Sequence, residues 1–132
     1  MKISIETKMN LKIKEVQDKV KKATRLAIRD TVVAIHGDAI KNAKAIGAWK
    51  TGHNVRSLVS EVSGMGIVRQ GEDAKPERVV DDSKLEGAVY STSGYGGFIE
   101  TGTVKMEARP YLKPALDRNI HKLPRKIKAE LR

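Results

Sequence analysis

Cysteine is absent from the 132 residues, which excludes disulfides, thiolate catalysis and cysteine metal sites and suits a reducing compartment. Aromatic residues are scarce, one Trp, one Phe and three Tyr, too few to build a stacking platform for single-stranded nucleic acid. No apolar run approaches membrane-spanning length, and Met1-Lys-Ile-Ser-Ile-Glu6 lacks the apolar core of a signal peptide. The expectation is a soluble protein without a membrane partner, made and used in a cytoplasm.

Catalytic patterns are equally thin. His36, His53 and His121 fall on three different elements, and none has a carboxylate or second histidine at ligand spacing, so no metal site is expected. Gly94-Tyr-Gly-Gly97 is glycine-rich but lacks the Lys-Ser/Thr of a phosphate loop and the spacing of a dinucleotide fingerprint. No nucleophile elbow or paired-carboxylate pattern can be read. Glu100 is a lone carboxylate without a placed partner and reads as a helix-end hydrogen bond or an ion pair. No catalytic residue, cofactor or small-molecule substrate is therefore expected.

Positive charge, by contrast, is abundant and unevenly placed. The net charge of +10 divides into +7 over residues 1–50, −3 over 51–100 and +6 over 101–132. Basic ends around an acidic middle suit nucleic acid, or let one subunit's basic helices meet another's acidic sheet; solvated lysine faces account for part of it.

The chain has no composition break and is long enough for one modest core, a single domain over 1–132. Lys2 to Thr7 alternates Ile3 and Ile5 with polar residues and predicts a short strand or extended arm. Helical spacing follows from about Ile13 to Ile46, through Val16, Val20, Ala23 and Ala27 and through Ile28, Val32, Ile35, Ala39 and Ala43. At about 1.5 Å per residue that helix is roughly 50 Å long, more than one small core needs, so part of it must project or pack on another chain. Gly37 is the expected bend and Gly47 the expected stop, with Trp49 in the loop beyond as a core plug or interface anchor. Thr51 or Asn54 is placed to cap a short helix over Val55–Leu58.

Leu58–Val62, Ile67–Val68, Arg78–Val80 and Leu85–Thr92 read as strands, with Gly64 and Gly66 bending the chain and Gln70–Glu77 as a mobile hairpin tip. Tyr95 to Glu100 reads as a short helix or turn whose Tyr95, Phe98 and Ile99 can face a core, ended by Gly102 in the left-handed region. Pro110 blocks ladder pairing, Pro114 suits a first helical turn, and Tyr111-Leu112-Lys113 becomes a stiff lead-in. Leu112, Leu116, Ile120, Leu123, Ile127 and Leu131 form an apolar helical stripe interrupted by Pro124. The fold class is α+β: a long N-terminal helix, a small curled antiparallel sheet of three to four strands, a short helix and a C-terminal amphipathic helix. Phe98 and Leu116 are expected to be buried anchors.

The block Tyr95-Gly-Gly-Phe-Ile-Glu-Thr-Gly-Thr103, followed by Ala108-Arg-Pro-Tyr-Leu-Lys-Pro-Ala-Leu116, resembles the end of the gp-ten-like morphogenesis proteins of long-tailed bacteriophages. That family of small head-tail connector and tail-completion proteins includes minor tail protein Z of phage lambda. Thr51-Gly-His-Asn-Val-Arg-Ser-Leu58 falls where the family carries a T-G-x-L-R-x-S-apolar segment; here Asn54, Val55 and Thr101 depart from the usual residues. The resemblance covers roughly residues 50–118. It implies a structural virion assembly protein without catalysis, present in the neck or tail after assembly in the bacterial cytoplasm. It implies a homo-oligomeric ring, sixfold by analogy, docking on other connector and tail proteins. Thr51, Gly52, Ser57, Leu58, Tyr95, Phe98, Ile99, Glu100, Gly102, Thr103, Pro110, Tyr111, Leu112, Pro114, Ala115 and Leu116 carry the motif. The alternative is a sequence-independent nucleic-acid-binding protein using its basic helices; a non-specific DNA contact is compatible with either.

Overall fold

A computed structural model describes residues 5–46, 51–94 and 110–132, with the side chains of 13–45, 52–94 and 110–132. The elements follow in the order α1 (Ile5–Ile46), α2 (Thr51–Arg56), β1 (Leu58–Val62), β2 (Gly66–Gln70), β3 (Gly87–Ser91), α3 (Leu112–Ile120) and α4 (Leu123–Leu131). The fold is mixed α+β, and α1 is its floor: the sheet, α3 and α4 all pack against it.

The 42 residues of α1 make a rod of about 63 Å. Its helix already holds Ile5, Glu6 and Thr7, where alternation predicts a strand. Ile5 also opens a helical stripe through Met9, Ile13, Val16 and Val20, and the longer periodicity prevails over two alternating isoleucines. Gly37 does not break the helix; the Arg69 guanidinium lies against it at 3.5 Å from where a Cβ would sit. The helix ends at Ile46, where the following Gly47 predicts a stop.

The sheet is three-stranded in the order β2-β1-β3 and antiparallel throughout. Gly64 and Gly66, both at positive φ, turn β1 tightly back into β2, and the register slips between Ser60 and Glu61 as a bulge. β1 is buried along its whole length because both its faces are covered. Leu58, Ser60 and Val62 face α1, where Leu58 packs with Ile35, Ala39, Ala43, Tyr111 and Ala115, and Val62 with Ile28 and Val32. Val59 and Glu61 face the other way and are fully buried too.

That second face is covered by residues 71–86, which cross from the outer side of β2 to β3. No strand forms at Arg78–Val80: Arg78 is left-handed at φ 56, and the Val79 N–H donates to Glu61 Oε2 at 3.2 Å instead of to a neighbouring strand. Nor is Gln70–Glu77 a hairpin tip. Gly71 and Asp73 donate their N–H groups to Leu58 and Arg56 carbonyls, Lys75 to Thr92 Oγ1 and Glu77 to Tyr90 Oη. Composition shows the polarity of such a segment; it does not show that main-chain donors anchor it.

The C-terminal stripe divides at Pro124 into two helices, as its position predicts, with Pro124 in the first turn of α4 and Pro114 in the first turn of α3. The face of α3 turned to the core differs from expectation. Tyr111, Ala115 and Asn119 are buried, whereas Leu116 is 43% exposed and Ile120 46%. Ala115 permits close approach to α1. Asn119 Nδ2 donates to Asp38 Oδ2 at 2.7 Å, and Asn42 Nδ2 donates to the Tyr111 carbonyl at 3.1 Å. Two half-buried polar contacts with α1 set the rotation of the helix, and the larger apolar residues are left outside. Among the described residues no helix is long and apolar enough to cross a membrane.

Candidate functional site

Short α2 and the start of the 71–86 crossing form a polar junction at the end of the sheet. His53 Nδ1 lies 3.1 Å from Asp73 Oδ2, Arg56 Nε donates to the same oxygen at 2.8 Å, and Ser57 Oγ is 3.5 Å from His53 Nε2. The Arg56 and His53 hydrogen bonds, in that order, hold the Asp73 carboxyl below its ordinary pKa. A serine, a histidine and an aspartate thus stand in a row that sequence reading does not show, because Asp73 lies in a stretch without periodicity. The row is poorly set for nucleophilic attack. Ser57 is buried, its hydroxyl donates to the His53 carbonyl at 2.8 Å, and Arg56 already occupies the carboxylate. Its physical effect is to fasten the crossing segment to α2.

Asn54 belongs to the same junction. It is fully buried, and its Oδ1 accepts from the Ser91 and Ser93 hydroxyls, which locks the end of β3 to α2. The strand end is held there by hydrogen bonds and not by apolar packing.

Two further buried polar groups lie at the sheet. His36 is 1% exposed on α1, with Nδ1 2.6 Å from Ser60 Oγ; burial first, then the Arg69 charge, pushes its pKa down to about 4, so it is neutral at pH 7. Glu61 is 0% exposed; its Oε2 accepts from the Val79 N–H, while Oε1 lies 3.6 Å from Arg78 Nε and has no hydrogen bond among the described residues. Burial, followed by the Glu61 carboxylate, raises the pKa of Tyr90 on the same face. The polar residue inside the apolar stripe of α1 is the one signal by which His36 is found from sequence. Glu61 is disguised by strand alternation, which reads it as a solvent-facing position.

An open apolar groove runs along α1 between β3 and the C-terminal helices. Its two lobes, of about 430 and 280 Å³, share Val32, Ile35, Gly87 and Leu116. One lobe reaches Leu112 and Lys113, and the other reaches Ile28, Leu85, Glu86 and Ile120. Leu85, Leu116 and Ile120 stand at its lips more than 40% exposed. Among the described residues no group of three or more His, Cys, Asp or Glu is placed to hold a metal ion.

The expected motif residues fall in different places. Leu58, Tyr111 and Ala115 meet in one core cluster, with Leu112 packed against it, and Ser57 is buried beside α2. Gly52, Pro110 and Pro114 are exposed, and Leu116 is a groove lip and not a buried anchor. Thr51 opens α2, but its side chain, together with Trp49 and all of Tyr95, Phe98, Ile99, Glu100, Gly102 and Thr103, lies outside the described residues. Comparison with protein-family models, curated proteins and solved structures found no match.

Proposed function

We propose that the chain is a structural assembly protein of a tailed phage or prophage, a head-tail connector or tail-completion component that works by oligomeric docking and not by catalysis. The observation that carries this reading is the long helix. Residues 13–22 of α1 are exposed without exception, and among the described side chains the first buried one is Ala23. A helix segment without a packed face has little stability of its own. Its exposed Ile13, Val16 and Val20 fit a protein completed by neighbours. The resemblance of the Thr51–Leu58 and Tyr95–Leu116 blocks to the connector family supplies the setting: a ring in the neck or tail, sixfold by analogy, built in the bacterial cytoplasm.

The test is to delete the coding sequence from its phage or prophage and image the particles. Heads and tails that fail to join, or tails left incomplete, are expected; infectious particles in normal yield overturn the proposal. A second reading, sequence-independent binding of nucleic acid, is favoured by the exposed lysines and arginines of α1 and α4. Sub-micromolar binding to random-sequence duplex DNA at physiological salt, weakened steeply by added salt, supports that reading over the first.

A further inference from the structure

Within one chain the exposed stripe and the open groove are two halves of an apolar contact that cannot meet. The groove floor is α1 itself at Val32 and Ile35, and Val16 lies about 24 Å away along the same unbroken helix. We infer that the Ile13-Val16-Val20 face of one copy seats in the groove of a second copy, beside Leu116 and Ile120, as a head-to-tail contact. The inference deepens the assembly reading by naming the partner surface.

Charge selects the lobe. On a helix of about 100° per residue, Lys14 and Lys21 flank the stripe on one side and Lys19 on the other. Among the described residues, the lobe containing Glu86 has no lysine in its lining, and it adjoins residues 71–86, where six acidic residues oppose three basic ones. Asp81 stands at its edge, its N–H bonded to Glu86 Oε1 at 2.7 Å. The other lobe has Lys113 in its lining and no carboxylate among its described residues. The stripe therefore enters the Glu86 lobe. A contact between unlike surfaces propagates from copy to copy and closes as a ring where the rotation permits, whereas stripe against stripe stops at a dimer of two net-positive segments.

The experiment uses the full chain in three forms: wild type, Val16→Glu and Leu116→Lys. Both altered positions are exposed, at 60% and 43%, so at dilutions where wild type is itself monomeric, helicity and melting should match wild type and serve as the folding control. Sedimentation should show a concentration-dependent oligomer for wild type and monomers for each variant alone. Mixing the variants should restore mixed dimers and nothing larger, because Val16→Glu retains a groove and Leu116→Lys retains a stripe. A wild type that stays monomeric overturns the inference, as does a Leu116→Lys variant that assembles like wild type. Should monomeric wild type coincide with unjoined heads and tails in the deletion experiment, this contact fails while the assembly reading stands.

Discussion

His36 shows how one buried side chain writes itself into the stability of the whole chain. Its pKa falls from the ordinary 6.5 to about 4, so between those values the unfolded chain binds more protons than the folded one. Stability is therefore complete above about pH 6.5, declines as pH falls towards 4, and loses about 3 kcal/mol to this group, a shift of about 2.5 units at 1.36 kcal/mol each. Denaturant unfolding followed from pH 7.5 to 4 should show this slope, and His36→Gln should flatten it. Gly87 is a second residue-scale case. A Cβ there would stand 2.6 Å from Ile28 Cγ2 and 2.8 Å from Val32 Cγ1, so β3 presses directly on α1. Gly87→Ala should destabilise by roughly 1–3 kcal/mol through overpacking, read from a melting curve.

At the scale of elements, α3 is oriented by its small and polar residues. Ala115→Leu should separate α3 from α1 and destabilise by about 1–3 kcal/mol, whereas Leu116→Ala should change folding stability by less than about 1 kcal/mol. Equal losses for both would show that the large apolar face is the buried one after all. The crossing segment 71–86 behaves as an element without regular structure, closing the outer face of the sheet through Glu61. Removing the Arg78 guanidinium leaves a buried carboxylate without its nearest cation. Because Arg78 is half exposed, Arg78→Ala should destabilise by about 2 kcal/mol, less than a fully buried pair, as measured by urea unfolding.

Over the whole molecule, stability and association are assigned to different parts of one helix. From Ala23 onward α1 is the floor of the core; before it, the rod leaves its own domain. At dilutions where wild type is monomeric, Val16→Ser should therefore leave the melting temperature within about 1 °C of wild type, because it removes no packed contact inside the chain. A large drop in a monomeric sample would place that segment in the core. Surface charge follows the same division, with lysine-rich helices outside and an acidic crossing segment over the sheet.

The long helix, a bend of the chain at Gly64 and Gly66, the strands β1 and β3 and the division at Pro124 were legible in the sequence because each rests on local chemistry: periodic burial, positive φ, or a missing N–H; that the bend is the hairpin, and Gln70–Glu77 is not, was decided by the fold. Alternation also placed Leu58 in a strand, whereas Tyr111 and Ala115 lie off the periodic stripe of Leu112, Leu116 and Ile120, and spacing did not reveal their place in the shared core. Tertiary structure alone decided which apolar residues were left outside. Leu116 and Ile120 obey the helical spacing as well as any core residue, yet Asp38 and Asn42 on α1 turn the other face of α3 inward. It likewise decided that Asp73 meets His53 and that Glu61 is covered, since those contacts join segments far apart in the chain and depend on where the sheet places them. Spacing along a chain reports which side of an element is apolar; only the packed neighbours determine which side is used.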